Sequence, residues 1–92
     1  MARFLIAEDD PEARALLEDV LTNSGHEVCA TIDGRDALRK LSEFTPDIVI
    51  LDNDMPRMSG IEVVRAIKGD PKTRFTPTIL LTAKSSHEDI VV

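Results

Sequence analysis

Four short apolar runs alternate along the chain with longer amphipathic segments. The runs cover residues 4–7, 28–32, 48–51 and 78–82, and the third is the most hydrophobic stretch of the sequence. Runs of this length without polar alternation are typical of strands that are buried on both faces of a parallel sheet. The pattern therefore predicts four strands.

The amphipathic segments begin with residues that favour helix starts. Asp10 can cap a helix with Pro11 in its first position, Asp33 can cap a second, and Ser59 with Glu62 matches a capping box. The apolar residues that follow recur at helical spacing, and they are Ala13, Leu16, Leu17, Val20 and Leu21, then Ala37, Leu38 and Leu41, then Ile61, Val64 and Ile67. We expect three helices between the strands, with the last set facing the core. Residues 85–88 resemble the start of a fourth helix.

The order of these elements predicts the fold class and the place of a site. Strands that alternate with helices favour an α/β fold, a doubly wound parallel sheet covered on both faces. Ligand sites in such sheets lie beside the carboxyl ends of the strands. Residues 8–10 follow the first strand, residues 52–54 follow the third, and Thr82 ends the fourth. The notable polar residues therefore converge on one edge of the predicted sheet.

The acids at two of these strand ends predict a cation site. Glu8, Asp9 and Asp10 after the first strand and Asp52 and Asp54 after the third would repel one another unless a cation or a proton lay among them. Mg²⁺ fits better than Ca²⁺, because it binds one or two carboxylates and a phosphate oxygen while keeping several waters. We expect Asp9 to lie in the crevice as a ligand, whereas Asp10 is more simply explained as the cap of the first helix.

Asp52 has the setting of a positioned nucleophile. It directly follows four aliphatic residues, so its carboxylate projects from a rigid strand. An aspartate can accept a phosphoryl group as an acyl phosphate. The alternative, that Asp52 caps the next helix, is weaker because Ser59 already occupies that position. Thr82 is compatible with two interpretations, an ordinary strand-end threonine or a hydrogen-bond donor to the phosphoryl group.

Composition and charge narrow the class of protein. The 92 residues fit one domain, residues 1–92, and the net charge of −6 with no run of Lys or Arg argues against nucleic-acid contact by this segment. Cys29 is the only cysteine, so an internal disulfide is excluded and a reducing cytoplasm is expected. No apolar run approaches the roughly 18 residues that a membrane-spanning helix needs. We therefore expect a cytoplasmic protein without a membrane segment.

Three successive motifs resemble those of response-regulator receiver domains, which have a flavodoxin-like fold. They are FLIAEDDP at residues 4–11, DIVILDNDMPRMSG at residues 47–60 and ILLTA at residues 79–83. Their order and spacing match the family throughout, and the LDxxMPxMxG block is highly specific. The resemblance implies a phosphorelay signalling module that is not itself an enzyme, with a sensor histidine kinase or a phosphotransfer protein as its partner.

The resemblance also implies a role for each matching residue. Asp52 would be the phosphoacceptor, Asp9 a direct Mg²⁺ ligand, and Glu8 its acidic neighbour that acts partly through water. The main-chain carbonyl of Asp54 would supply a further ligand. Thr82 would be the switch hydroxyl. Ala83 would be the small residue that leaves the phosphoryl group accessible.

The sequence departs from the family pattern near its end. Receiver domains have a fifth strand-helix unit whose strand carries a lysine beside the phosphoryl group, and Lys84 does not match that position. We therefore expect an incomplete fold of about four of the five units. Strand four would then be an outer edge, and exposed apolar edges recruit other strands. This predicts a homo-oligomer joined at that edge.

Two alternatives remain open from the sequence. A phosphatase of the haloacid dehalogenase type also uses an apolar strand followed by Asp-x-Asp, which residues 52–54 imitate, but its first aspartate normally follows the first strand. A pseudo-receiver that binds proteins without being phosphorylated is the second alternative. The absent lysine makes this second alternative more credible.

Overall fold

The computed structural model describes residues 1–81, in which strands and helices alternate as predicted. The elements are β1 (Arg3–Ala7), α1 (Pro11–Asn23), β2 (Glu27–Thr31), α2 (Gly34–Phe44), β3 (Ile48–Asp52), α3 (Gly60–Gly69) and β4 (Thr78–Leu81). Each predicted strand is found. Where an observed bound differs from the predicted one, it differs by one residue. Thr82, Ala83 and the helix start predicted at residues 85–88 lie outside the described residues.

The strands form one parallel sheet in the order β2-β1-β3-β4. From β1 the chain first crosses to β2 on one side, and then to β3 on the other side of β1. The order therefore reverses between β1 and β3, and ligands of doubly wound sheets bind at such a reversal. The predicted α/β fold class is confirmed. In the part of the chain that the structure describes, β4 is an outer strand.

The main core lies between the sheet and the helices α2 and α3. Alternate residues of the central strands face this side, and the cluster consists of Leu5, Ala7, Ala37, Leu41, Val49, Leu51, Val63, Ile67 and Leu80. Burying a side chain such as Leu51 completely stabilises the fold by about 1.5–3 kcal/mol. The last core residues of β1 and β3, Ala7 and Leu51, are register partners. The polar residues that follow them are thus held at the rim of the core.

The helix starts agree closely with the sequence patterns. Asp33 accepts a hydrogen bond from the Asp36 amide at 2.8 Å, and Ser59 and Glu62 form both bonds of the capping box. Asp10 does occupy the position before α1, and Pro11 does begin that helix, but the Asp10 side chain makes no capping hydrogen bond. The cap position was therefore predicted correctly, whereas its side-chain bond was not.

The prediction that Ile61 faces the core is wrong. Gly60 is buried against Leu80 at the first position of α3, so the buried positions continue with Val63 and Ile67 at helical spacing. Ile61 lies about 100° further round the helix, as one residue step requires, and is 41% exposed. Only the first member of the predicted stripe was misplaced, because the buried glycine that sets its phase carries no apolar side chain.

Helix α1 packs on the opposite face of the sheet, against β1 and β2. Ala13, Leu17 and Leu21 are half-buried there, whereas Leu16 and Val20 are 66% and 54% exposed. The contact stripe of α1 is therefore narrower than its apolar stripe. Among residues 1–81, no helix has the length and apolar character needed to cross a membrane.

Candidate metal and phosphoacceptor site

Three carboxylates meet at the carboxyl ends of β1 and β3. One carboxylate oxygen from each of Glu8, Asp9 and Asp52 lies within 4.8 Å of the other two. Asp52 is the last residue of β3, and Glu8 and Asp9 directly follow β1. Because neighbouring strands β1 and β3 end together in the register, the acids are brought side by side. The structure thus places all three predicted side chains at one point, the reversal of the strand order.

The loop after β1 is held by an arginine that the sequence analysis did not single out. Arg14 donates a hydrogen bond to the main-chain carbonyl of Glu8 at 2.9 Å and approaches that of Asp9 at 3.5 Å. The Glu8 amide bonds the Thr31 carbonyl of β2 at 3.1 Å. The position of Arg14, one helical turn after Asp10, could have indicated this contact. Its guanidinium also places a positive charge beside the acidic loop.

The loop after β3 is folded around Asn53. The Asn53 carbonyl accepts bonds from the amides of Met55 and Gly60, and its side-chain oxygen accepts one from the Ile61 amide. The Asp54 amide lies 3.4 Å from a carboxylate oxygen of Asp52. The contribution of the Asp54 main-chain carbonyl to a metal site stays a prediction, as do the roles of Thr82 and Ala83, which lie beyond the described residues.

The crowding of acids changes their protonation. Burial is the main cause that raises the pKa of Glu8 from 4.5 to about 7, and the negative charge of Asp52 raises it further. Burial also raises the pKa of Asp52, although the Asp54 amide and a hydrogen bond from Glu8 oppose this shift. Without a cation, Glu8 is therefore mostly protonated only below about pH 7, where it can donate a hydrogen bond to Asp52.

This shift makes stability depend on pH in a definite direction. The folded-state pKa of Glu8 exceeds its unfolded value of 4.5, so its contribution is fully present below pH 4.5 and is lost as the pH rises through about 7. We expect the urea midpoint of the metal-free protein to fall across this window. Circular dichroism at stepped pH measures it.

The variant Glu8→Gln mimics the protonated side chain and should remove most of this fall. Asp10→Asn is a matched control, since Asp10 is exposed and lies just beyond the cluster in the sequence. An equal fall in wild type and Glu8→Gln would show that Glu8 does not retain the proton.

The donor set suits a small hard cation. All three side chains offer oxygen, which Mg²⁺ and Ca²⁺ prefer over nitrogen or sulfur. Three acids and a nearby carbonyl are too few for a protein-only Ca²⁺ cage but match Mg²⁺, which retains waters and a phosphate oxygen. The negative charge of Asp52 adds to the raised pKa of Glu8, so a positive charge among the acids would relieve their repulsion. Mg²⁺ would supply it.

The acidic cluster is an open crevice at the protein surface. Asp9 is exposed, and Glu8 and Asp52 are half-buried. A cavity of about 620 Å³ does occur in the described part of the chain, but it is lined by Leu38, Ser42, Thr45, Asp70 and their neighbours at the other ends of α2 and α3. The crevice is thus accessible to a side chain of another protein.

Fold and site together define a flavodoxin-like α/β protein with an acidic crevice where its strand order reverses. The chain belongs to the response regulator receiver domain family, whose model matches residues 4–92. This membership confirms the family resemblance of the sequence motifs. It also decides against a phosphatase of the haloacid dehalogenase type.

Relatives with curated names are response regulators. The chain is 41% identical over 92 residues to the transcriptional regulatory protein AfsQ1 of Streptomyces coelicolor, covering all of this chain and 40% of that protein. It is 41% identical over 88 residues to the response regulator PleD of Caulobacter vibrioides, covering 96% of this chain and 19% of that protein. The chain therefore spans about two fifths or less of the length of these relatives.

Solved structures show the same fold. The chemotaxis response regulator CheY4 of Vibrio cholerae superposes with a TM-score of 0.88 at 36% identity, covering 94% of this chain and 72% of that one. The response regulator TrrA of Thermotoga maritima, solved in complex with Mg²⁺-BeF, has a TM-score of 0.86 at 39% identity and covers 96% of this chain and 75% of that one. The predicted receiver fold is confirmed.

Proposed function

We propose that this chain is a phosphoacceptor module that takes a phosphoryl group onto Asp52 from the phosphohistidine of a sensor kinase or phosphotransfer protein. The observation that carries the proposal is the convergence of Glu8, Asp9 and Asp52 within 4.8 Å at the reversal of the strand order. Among residues 1–81, Asp52 is half-buried and Asp9 is exposed, so the acids lie in an open crevice. A protein-borne donor fits this open crevice better than an enclosed small substrate does.

The transfer is a displacement at phosphorus. An ionised carboxylate oxygen of Asp52 forms the new P–O bond while the P–N bond of the donor breaks, and the imidazole leaves with the electron pair and takes up a proton. When bound, Mg²⁺ neutralises the charge on the transferring oxygens and on the acids around them. Glu8, Asp9 and Asp52 itself would hold it, with the Asp54 carbonyl as a further ligand.

The remaining residues position the nucleophile. Asp52 is the last residue of β3 and follows Leu51, which is fully buried. The Asp52 carboxylate therefore has little freedom to turn away from the crevice. The Asp54 amide lies 3.4 Å from one of its oxygens and helps to orient the carboxylate. Catalysis of this kind depends mainly on positioning and charge stabilisation. Asp52 itself would carry the phosphoryl group as a signal. The chain would act as a signalling module of one domain, residues 1–92, and not as an enzyme with turnover.

We further propose a cytoplasmic location, no direct nucleic-acid contact, and self-association through the outer edge of β4. Among the described residues, β4 pairs with β3 on one side only, and Ile79 and Leu81 are half-buried. Free strand edges of this kind pair with other chains. Light scattering across a concentration series should show a rising average mass that Ile79→Lys suppresses. A constant monomer mass in the wild type would contradict this proposal.

The phosphoacceptor proposal is tested by incubating the protein with acetyl phosphate, with Mg²⁺ or with excess chelator. We expect one phosphoryl group per chain with Mg²⁺ and almost none with chelator. Borohydride trapping and mass spectrometry should locate it at Asp52. No incorporation with Mg²⁺ or from a phosphorylated histidine kinase would favour the pseudo-receiver alternative instead.

A further inference from the structure

One ion pair joins the loop of residues 53–59 to the start of α2. Arg57 donates to one carboxylate oxygen of Asp33 from Nε at 2.8 Å and from a terminal guanidinium nitrogen at 2.7 Å. The other oxygen of Asp33 accepts the capping bond from the Asp36 amide. The Asp33 side chain is only 6% exposed. Because both of its oxygens are engaged, the carboxylate has one favourable orientation.

The pair remains ionised at neutral pH. The hydrogen bond from the Asp36 amide and the Arg57 guanidinium hold the pKa of Asp33 below its usual value. A nearly buried carboxylate that loses its partner is left uncompensated, which is strongly unfavourable. Arg57 therefore cannot leave Asp33 without cost.

The backbone on both sides of the pair is in tight contact. A β-carbon at Gly34 would lie 2.6 Å from the Met58 carbonyl oxygen, so the loop rests directly on the first residue of α2. Arg57 itself has a φ of 67°, in the left-handed region that residues other than glycine rarely adopt. Such a conformation persists only when its surroundings hold it. A bond of 2.7 Å from the Met58 amide to the Pro56 carbonyl closes the turn around Arg57, and the side-chain bond to Asp33 ties this turn to α2.

The other end of the same loop is fixed by Asn53, whose carbonyl accepts bonds from the Met55 and Gly60 amides. Asp54 therefore lies between two anchored points, Asn53 and Arg57. Its amide is already near the Asp52 carboxylate. Any loosening at Arg57 would let the Asp54 main chain move relative to Asp52.

We infer that Asp33 and Arg57 are positioning residues that hold the loop after β3 in place. By holding this loop, they raise the affinity of the acidic crevice for Mg²⁺. This role rests on the proposed function, since the ion belongs to the site proposed above. Neither residue contacts the carboxylates that would bind the ion. They act through the main chain of residues 53–57, as groups outside a ligand set commonly orient the ligands.

The variants Arg57→Gln and Asp33→Asn test this role. Asparagine can still cap α2 but carries no charge, so Asp33→Asn removes the ion pair and keeps the helix start. Isothermal titration with Mg²⁺ should show an affinity about tenfold lower in both variants, the size typical for residues that orient metal ligands. Amide hydrogen exchange at residues 54, 55, 57 and 58 should become faster, while exchange in β3 stays unchanged.

Arg39→Gln is the matched control. Arg39 forms an ion pair with Asp36 on the surface of the same helix and does not contact the loop. Its Mg²⁺ affinity and loop exchange should equal those of the wild type. An equal loss in this control would show a general effect of charge and would overturn the inference.

The outcomes separate this inference from the proposed function. If the wild type binds Mg²⁺ and both variants bind it equally well with unchanged loop exchange, the positioning role is wrong and the proposed function stands. If the wild type does not bind Mg²⁺, the proposed metal site fails, and the role of the pair fails with it. Faster loop exchange together with weaker binding in both variants supports the inference.

Discussion

Asp52→Asn is expected to reduce phosphorylation by acetyl phosphate to below detection. The substitution keeps the size of the side chain and one acceptor oxygen but removes the ionised oxygen that attacks phosphorus. The other acids do not replace it, because Glu8 and Asp9 would bind the metal when Mg²⁺ is present. The increase in mass of the intact protein after incubation with the phosphodonor measures the effect.

Asp54→Asn is the matched control for this experiment. It makes the same chemical change two residues along the same loop, and it leaves the Asp54 main-chain carbonyl in place. We expect it to retain most of the incorporation. Label that persists in Asp52→Asn would show that another residue accepts the phosphoryl group, and the assignment of Asp52 would be wrong.

Gly60→Ala is expected to destabilise the fold by at least about 1–3 kcal/mol, the range for overpacking a close-packed core. A β-carbon at this position would lie 2.5 Å from a methyl group of Leu80, 2.7 Å from the Asp52 carbonyl oxygen and 2.9 Å from Asn53 Cα. The last two are main-chain atoms that a rotamer change cannot move. A thermal melt followed by circular dichroism should show a midpoint lower by roughly 5 °C or more.

Gly69→Ala provides the comparison, because an added β-carbon there meets no described atom within 4 Å. Gly69 is the last residue of α3. Alanine at a compatible position reduces the entropy of the unfolded chain and typically raises the free energy of unfolding by about 0.4–1 kcal/mol. The same loss of stability at both glycines would show that contact with Asp52 and Leu80 does not decide the result at Gly60.

The sheet and most of its site could be predicted from the sequence because both follow from short-range patterns. A run such as residues 48–51 is too apolar and too short for any other buried element, and a parallel sheet brings every strand end to the same edge. Asp52 and Asp9 each stand next to a strand end, so their meeting follows from topology alone. The resemblance to receiver domains added the specific role of each residue.

Contacts between distant side chains could not be predicted in this way. Arg57 and Asp33 are 24 residues apart, and both look like ordinary charged loop residues in the sequence. The phase of α3 was missed for a related reason. Gly60 is the buried residue that sets it, and hydrophobic periodicity gives a glycine no weight.

The register of β1 and β3 has a consequence for how such a sequence can vary. Ala7 and Leu51 are register partners, and Glu8 and Asp52 are the residues that follow them. A slip of β3 by one residue would turn the fully buried Leu51 to the other face and carry Asp52 away from the acids after β1. An error in strand pairing would therefore disrupt the core before it could produce a stable protein with a displaced nucleophile. Selection for folding alone therefore maintains the alignment of Glu8 and Asp52, even in a lineage where signalling is not under selection.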